Sequence, residues 1–381
     1  MPALSLTGVK APTQYSRAPL REYQALVIMS RPKRQKSIFV VRLSHVTDVV
    51  LASPMARLIK RSGDNVILTW VVQARYASLI AGHPDIDNLI IWDKDYWLSL
   101  LTRGKLITLA REIARFRKQC RPHEQDIALD LQGEMISSFI SWLSGAKIRI
   151  ALGANQSSNW LATKTISRNI GEETQLGSEY RYLLAQLGMP DSPWQMFVAP
   201  PAESKEELEE TLSFPYQTEN FAVICPFSVY QHKRWPEENW QQIALRIRGR
   251  YHLKTVILGL DRDIEHAKKI AGATGAISLV GKTSLNQAAE IIKHAKLLVG
   301  VDTGLTHIGH AFRTPTIGLF GATCPYSYAG VESSKIIYLK RFCSPCNNKP
   351  ICKGKFECMT EITPDIVLSE IKPLMKLAQE Y

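Results

Sequence analysis

The sequence predicts an α/β protein made of two doubly wound, Rossmann-like domains that face each other across a cleft. From about residue 38 onward, short apolar runs alternate with stretches of helical period, the signature of mainly parallel sheets covered by helices. The alternation is interrupted by Pro190, Pro193, Pro200 and Pro201, then an acidic stretch over 203–210 and Pro215, after which it resumes. A chain of 381 residues is long enough for two cores. The expected layout is a basic N-terminal extension over 1–36, a first domain over 37–200, a linker over 201–219, a second domain over 220–362 and a terminal helix within 363–381.

In the first domain the expected strands are 38–42, 66–72, 89–92, 127–131 and 148–152, several of them apolar on both faces as buried parallel strands are. Helices are expected over 48–61 and 106–118. In the second of these, Leu106, Leu109, Ile113 and Phe116 share one face, with Arg111, Arg115 and Lys118 opposite. In the second domain the strands are 221–225, 255–259, 277–280, 297–301 and 316–320, separated by helices near 237–248, 263–271, 285–294 and 305–312. Thr363-Pro364 is a helix start, Thr at the cap and Pro at the first turn, for a last helix over 366–377.

Composition narrows the class. Hydrophobic residues make up 45% and charged residues 22%, as in globular domains, and no apolar run reaches the ~20 residues of a membrane span. The N-terminal segment has cations but no apolar core, so a secretory signal is not expected and the chain is placed in the cytoplasm. The net charge of +12 is concentrated: residues 1–36 and 103–121 each hold seven cations against one acid. Such patches suit phosphate-rich partners such as an anionic membrane surface, although solvated faces read the same way. Four of seven cysteines fall in Cys343, Cys346, Cys352 and Cys358, a C-x2-C-x5-C-x5-C cluster that points to a structural zinc or iron, with reduced packed thiols as the alternative.

In doubly wound sheets ligands bind beyond the carboxyl ends of the strands. Three loops there carry the chemistry. Leu43-Ser44-His45-Val46-Thr47-Asp48 places a carboxylate at the start of a helix, where it serves either as a cap or as a general base. Pro226 to Glu237 contains Ser228, Lys233 and Arg234 ahead of a helix, a phosphate clamp or an ordinary helix start. Val299 to His307 is a strand, a tight turn at Asp302-Thr303-Gly304 and a helix, whose free N–H groups suit a diphosphate. Gly281-Lys282-Thr283 is not a P-loop, because Ala276 stands where that motif needs glycine.

Together these loops resemble the heptosyltransferases of glycosyltransferase family 9. The resemblance rests on Val41-Arg42-Leu43-Ser44 with Asp48 and Pro54, on Asp130-Leu131-Gln132-Gly133, on Lys233-Arg234-Trp235-Pro236-Glu237, and on Asp302-Thr303-Gly304-Leu305-Thr306-His307 followed by Leu319-Phe320-Gly321-Ala322-Thr323. It implies a GT-B fold with the acceptor domain first, the nucleotide-sugar domain second, and a terminal helix crossing back. It also implies inverting transfer of heptose from ADP-L-glycero-β-D-manno-heptose to the lipopolysaccharide inner core (Kdo-lipid A), peripheral to the inner membrane and with no cofactor required. Carried over, Asp48 is the base. Ser228 and Lys233 hold the diphosphate, Thr303, Gly304 and Leu305 offer it N–H groups, Asp302 and His307 lie beside the donor, and Asp263 meets the ribose. Arg111, Arg115, Lys118 and Gln132 are expected on the acceptor side.

One departure stands out. Relatives carry Ser-Ser-x-Gly-Asp where this chain has Ser44-His45-Val46-Thr47-Asp48, so the loop is expected to differ in shape. Two other readings keep the fold: a heptosyltransferase acting on Ser or Thr of a secreted adhesin, or a non-catalytic protein that binds anionic surfaces.

Overall fold

The computed structural model describes residues 35–63, 65–153, 158–168, 177–189, 192–199, 205–323, 331–346 and 349–377, so nearly all of the basic extension lies outside the described residues. The first sheet comprises β1 (Lys36–Val41), β2 (Val66–Gln73), β3 (Asn88–Trp92), β4 (Ile127–Asp130), β5 (Ile148–Leu152) and β6 (Lys164–Ile166). The second comprises β7 (Phe221–Cys225), β8 (Lys254–Ile257), β9 (Ile277–Ser278), β10 (Leu297–Val301), β11 (Thr316–Phe320) and β12 (Ser334–Tyr338).

Every pairing is parallel, and the orders are β3-β2-β1-β4-β5-β6 and β12-β11-β10-β7-β8-β9. Both are the doubly wound arrangement, with the reversal of strand order between β1 and β4 and between β7 and β10. The α/β expectation of two Rossmann-like domains is met. The edge strands β6 and β12 were not expected. Lys164 and Lys335 make them amphipathic and polar, without the continuous apolar run that marks central strands.

Two helical expectations need correction. The single helix over 48–61 is two, Val46–Ala52 and Pro54–Arg61, because Pro54 lacks the N–H needed to continue the first. Of the apolar face expected on Leu106–Gln119, Phe116 is buried but Leu106 is 60% exposed, beyond the edge of the core. The terminal helix Pro364–Leu377 packs on Glu237–Tyr251, β11 and β12. Its Val367, Leu368, Ile371 and Leu374 enter the second domain's core, so its main packing does not cross to the first domain. Inside the expected linker, Lys205–Leu212 is a helix whose Leu208 and Leu212 are fully buried.

The two domains meet through one apolar cluster that runs from Val49, Val50 and Trp70 to Val223, Ile291 and Ile308. The closest approach is between helices Val46–Ala52 and Gly304–Ala311. Because each helix follows the first or fourth strand of its sheet, this packing brings the two reversal points together.

Candidate active site between the domains

A cleft of about 310 Å³ opens at the carboxyl ends of β7, β8 and β10. Second-domain residues Ser228, Lys233, Asp263, Asp302, Thr303, Gly304 and Leu305 line it, and Val46 and Thr47 close it from the first domain. A larger cavity of about 490 Å³ lies by Lys254 and Thr255, at the amino end of β8, the wrong end of a parallel sheet for a ligand site.

Lys233 is the centre of the donor side. Its Nζ lies 2.6 Å from Asp302 Oδ2 and 5.6 Å from the Tyr230 ring centroid. Asp302 also accepts from Thr323 and contacts His307 Nε2 at 3.3 Å. Burial pushes the Asp302 carboxyl up, but His307 and Lys233 outweigh it and hold the group well below the usual carboxylate range. An ammonium has three donors and only one points at Asp302, leaving two for a ligand.

Thr303 caps the helix Gly304–Ala311, its hydroxyl accepting from Leu305 N at 3.2 Å. The Leu305 N–H, expected to face a diphosphate, is therefore taken. Among the described residues the Thr303 and Gly304 N–H groups have no protein acceptor, so the helix N-terminus still offers two donors and its positive dipole end. Asp263, after β8, is 4% exposed. Its Oδ2 accepts from Leu260 N at 3.4 Å, while Oδ1 lies 3.8 Å from Arg234 and accepts no hydrogen bond among the described residues. An acid after the second strand of a doubly wound sheet is where ribose hydroxyls are received.

On the first-domain side, β1 ends in Arg42, which is buried and donates to Leu131 O at 3.2 Å, tying the loop after β1 to the loop after β4. Its other guanidinium nitrogen pairs with Asp48, whose side chain is 31% exposed. His45 Nδ1 stands 3.4 Å from the same carboxylate oxygen. Burial raises the Asp48 carboxyl, but Arg42 and His45 together hold it below its ordinary value, so it is ionised at neutral pH. Arg168 donates to Leu131 O and Gln132 O at 3.2 and 2.9 Å and adds positive potential at Asp48.

Several expectations fall outside this picture. His307 is 1% exposed and does not line the cleft. It stands behind Asp302, against the Phe320 ring, and acts on a donor only through Asp302. Gln132 is buried and occupied, accepting from Leu43 N at 3.4 Å and donating to Glu134 at 2.6 Å, so it braces the loops and is not open to an acceptor. Arg111, Arg115 and Lys118 are exposed on Leu106–Gln119 and do not line the cleft.

The cysteines also depart from expectation. Among the described residues no group of three or more His, Cys, Asp or Glu is placed to hold a metal ion. Cys343, Cys346, Cys352 and Cys358 are free thiols. Cys358 is buried against Gly321, and Cys346 Sγ donates to Ala322 O at 3.7 Å, so these two are spent on packing the chain after β11. Burial and neighbouring sulfurs raise the Cys343 and Cys358 thiols, favouring the protonated form over a thiolate ligand.

The motifs did not disclose Arg42, His45 or Arg168 as site residues. Arg42 had a signal, a charged residue closing an otherwise apolar strand. Arg168 had none, because it reaches the site from β6, an edge strand.

Comparison with known proteins agrees with this geometry. The chain is 24% identical over 361 residues to lipopolysaccharide heptosyltransferase 1 of Pseudomonas aeruginosa, covering 89% of this chain and 98% of the relative. It is 25% identical over 360 residues to the lipopolysaccharide core heptosyltransferase OpsX of Haemophilus influenzae, covering 89% and 97%. In fold it is similar to the E. coli ADP-heptose lipopolysaccharide heptosyltransferase II, with TM-score 0.68 and 19% identity over 91% of this chain and all of that one. A family 9 glycosyltransferase from Veillonella parvula matches at TM-score 0.71 and 21% identity, covering 89% and 97%. The two facing Rossmann-like domains are thus the GT-B arrangement. With its model matching residues 113–356, glycosyltransferase family 9 (heptosyltransferase) is the family to which this chain belongs.

Proposed function

We propose that the chain is an inverting transferase that moves heptose from ADP-L-glycero-β-D-manno-heptose to the inner core of lipopolysaccharide. The observation that carries this reading is the shared cleft. Val46 and Thr47 line the donor pocket, and the Asp48 carboxylate follows in the same turn of helix.

Asp263 Oδ1, a buried acceptor awaiting a donor, receives a ribose hydroxyl. Lys233 and the N–H groups of Thr303 and Gly304 meet the diphosphate. Negative charge grows on the β-phosphate as the glycosidic bond breaks, and a fixed cation beside a helix N-terminus stabilises it where it develops. These groups fill the role a divalent cation has in other transferases. On the opposite side Asp48, ionised by its Arg42 partner, draws the proton from the acceptor hydroxyl as that oxygen attacks the anomeric carbon. Arg168 adds the positive potential that an acceptor rich in phosphate and carboxylate requires.

The acceptor is a lipid, and the first domain has a face suited to one. Ile91, Leu98, Leu101, Leu106 and Ile107 are between 51% and 73% exposed, on β3 and the helices Lys94–Thr102 and Leu106–Gln119. Lys94, Arg103, Lys105 and Arg111 are exposed on the same helices and the turn between them. Apolar side chains ringed by cations fit an anionic bilayer surface, and among the described residues no helix is long and apolar enough to cross one. This places the enzyme at the inner face of the inner membrane, where the lipid acceptor is presented.

The test is incubation of the purified chain with ADP-heptose and Kdo-lipid A, following ADP release and lipid mass together. A heptose mass gain on the lipid is expected. ADP binding without transfer to lipid, together with a mass gain on a co-expressed adhesin, would move the acceptor to protein.

A further inference from the structure

The loop before Asp48 contains a strained residue that the reading above leaves unused. His45 has φ 66° and ψ 126°, a left-handed-side conformation that residues with a Cβ rarely adopt, and its side chain does not cap the following helix. The strain has one visible result: the imidazole turns onto the carboxylate three residues ahead. Nδ1 lies 3.4 Å from Asp48 Oδ2 and 3.3 Å from Ser44 Oγ, while the side chain remains 73% exposed. Nε2 has no hydrogen-bond partner among the described residues.

Asp48 is a poor resting place for a proton. The carboxylate oxygen nearest His45 is already engaged by the buried Arg42 guanidinium, so protonating it would weaken an ion pair. The imidazole beside it has the opposite balance. Its hydrogen bond to Asp48 raises it above the usual histidine value, outweighing burial and the nearby Arg42 charge, with Glu134 adding a smaller negative potential.

Building on the heptosyl-transfer reading, we propose that His45 Nε2 receives the acceptor's proton, with Asp48 orienting the ring and stabilising the imidazolium. In the resting site neutral His45 donates Nδ1–H toward Asp48, which leaves the Nε2 lone pair facing outward. The acceptor O–H bond breaks with its proton passing to Nε2, and the oxygen forms the new bond to the anomeric carbon. The bond from that carbon to the β-phosphate oxygen breaks with its electron pair leaving on ADP. The products are the glycoside, ADP and an imidazolium paired with Asp48, and the proton returns to water. The arrangement parallels the carboxylate–imidazole pair that activates hydroxyls in other enzymes.

The sign of the pH dependence follows. The neutral ring is the active form, so kcat rises with pH as His45 loses its proton. A base consisting of Asp48 alone, held below its ordinary value, would be fully active well into acid. His45→Gln keeps a polar side chain of similar reach and cannot accept the proton. It should lower kcat by about 100-fold or more, leave the donor KM and ADP affinity unchanged, and abolish the histidine-range limb of the kcat profile. NMR titration of the His45 ring supplies a readout independent of turnover, and its pKa should fall in Asp48→Asn. His45→Gln with the parent kcat and the parent acid limb, or a His45 titration unaltered by Asp48→Asn, overturns this proposal while leaving heptosyl transfer intact. Failure of the unaltered chain to transfer heptose to any acceptor overturns the transfer reading and this proposal with it.

Discussion

Gly304 packs so closely on Val46 that a Cβ on the glycine would stand 2.5 Å from the valine Cβ and 2.6 Å from its Cγ1. The two residues belong to different domains, and both line the donor cleft. The contact therefore sets the width of the active site. Gly304→Ala should part the domains locally at a cost of about 1–3 kcal/mol, weakening ADP binding by roughly 5- to 100-fold. Calorimetric titration with ADP checks this, and adding Val46→Gly, which removes the obstructing atoms, should recover most of the loss. Equal affinities in Gly304→Ala and the parent would mean the contact does not shape the donor site.

The Lys233–Asp302 pair makes a stability prediction as well as a catalytic one. Lys233→Met leaves a buried carboxylate with only His307 and Thr323, which should cost about 3 kcal/mol of folding stability and reduce kcat together with donor affinity. Asp302 titrates lower in the folded chain than its model value of 3.8. Its contribution is therefore fully present above that value and is lost as pH falls below it. Urea unfolding at pH 7 and pH 3 should show a steeper acid loss in the parent than in Lys233→Met. Parallel losses would remove Lys233 as the cause.

Asp263 should recognise ribose. With Oδ1 buried and lacking a hydrogen-bond donor among the described residues, a ribose hydroxyl satisfies it at a gain of about 1.5–3 kcal/mol. Asp263→Ala is expected to weaken ADP binding by about 10-fold or more and to leave 2′,3′-dideoxy-ADP unaffected. Similar losses for both nucleotides would point to a structural role.

Asp48→Asn should retain ADP affinity, since the carboxylate is not among the residues lining the donor pocket. Transfer should fall by roughly 100- to 10,000-fold. Measuring single-turnover transfer beside ADP binding separates the two effects. Near-parent turnover would exclude the Asp48 carboxylate from the proton transfer.

The membrane face is open to a direct test. Leu106 and Ile107 are 60% and 73% exposed and add little to the core, so Leu106→Glu and Ile107→Glu should leave thermal stability nearly unchanged. Both variants should lose sedimentation with vesicles containing anionic lipid while still turning over a soluble, delipidated acceptor. Vesicle binding at the parent level would place the docking surface elsewhere.

Much of the architecture is legible along the chain. Strands β5, β7, β10 and β11 begin and end where their apolar runs do, because a central parallel strand is buried on both faces and its burial is written in consecutive residues. Edge strands β6 and β12 escape that logic, being half-polar and short. The split at Ser53 follows from Pro54, yet helical periodicity carries straight across it.

For the site, sequence alone determined which loops matter, since strand ends, glycines, capping threonines and charges are local features. It also determined the donor constellation of Ser228, Lys233, Asp263, Asp302, Thr303 and Gly304, all found on one cleft. Only tertiary structure decided which groups are free to act. His307 and Gln132 are buried and committed, the Leu305 N–H is capped, and the four cysteines form no metal site among the described residues. Tertiary structure also brought Arg42 and His45 onto Asp48 and Arg168 to the loop after β4. The physical reason is that a side chain's hydrogen-bond partners and exposure depend on neighbours distant in sequence, whereas strand and helix tendencies are set within a few residues.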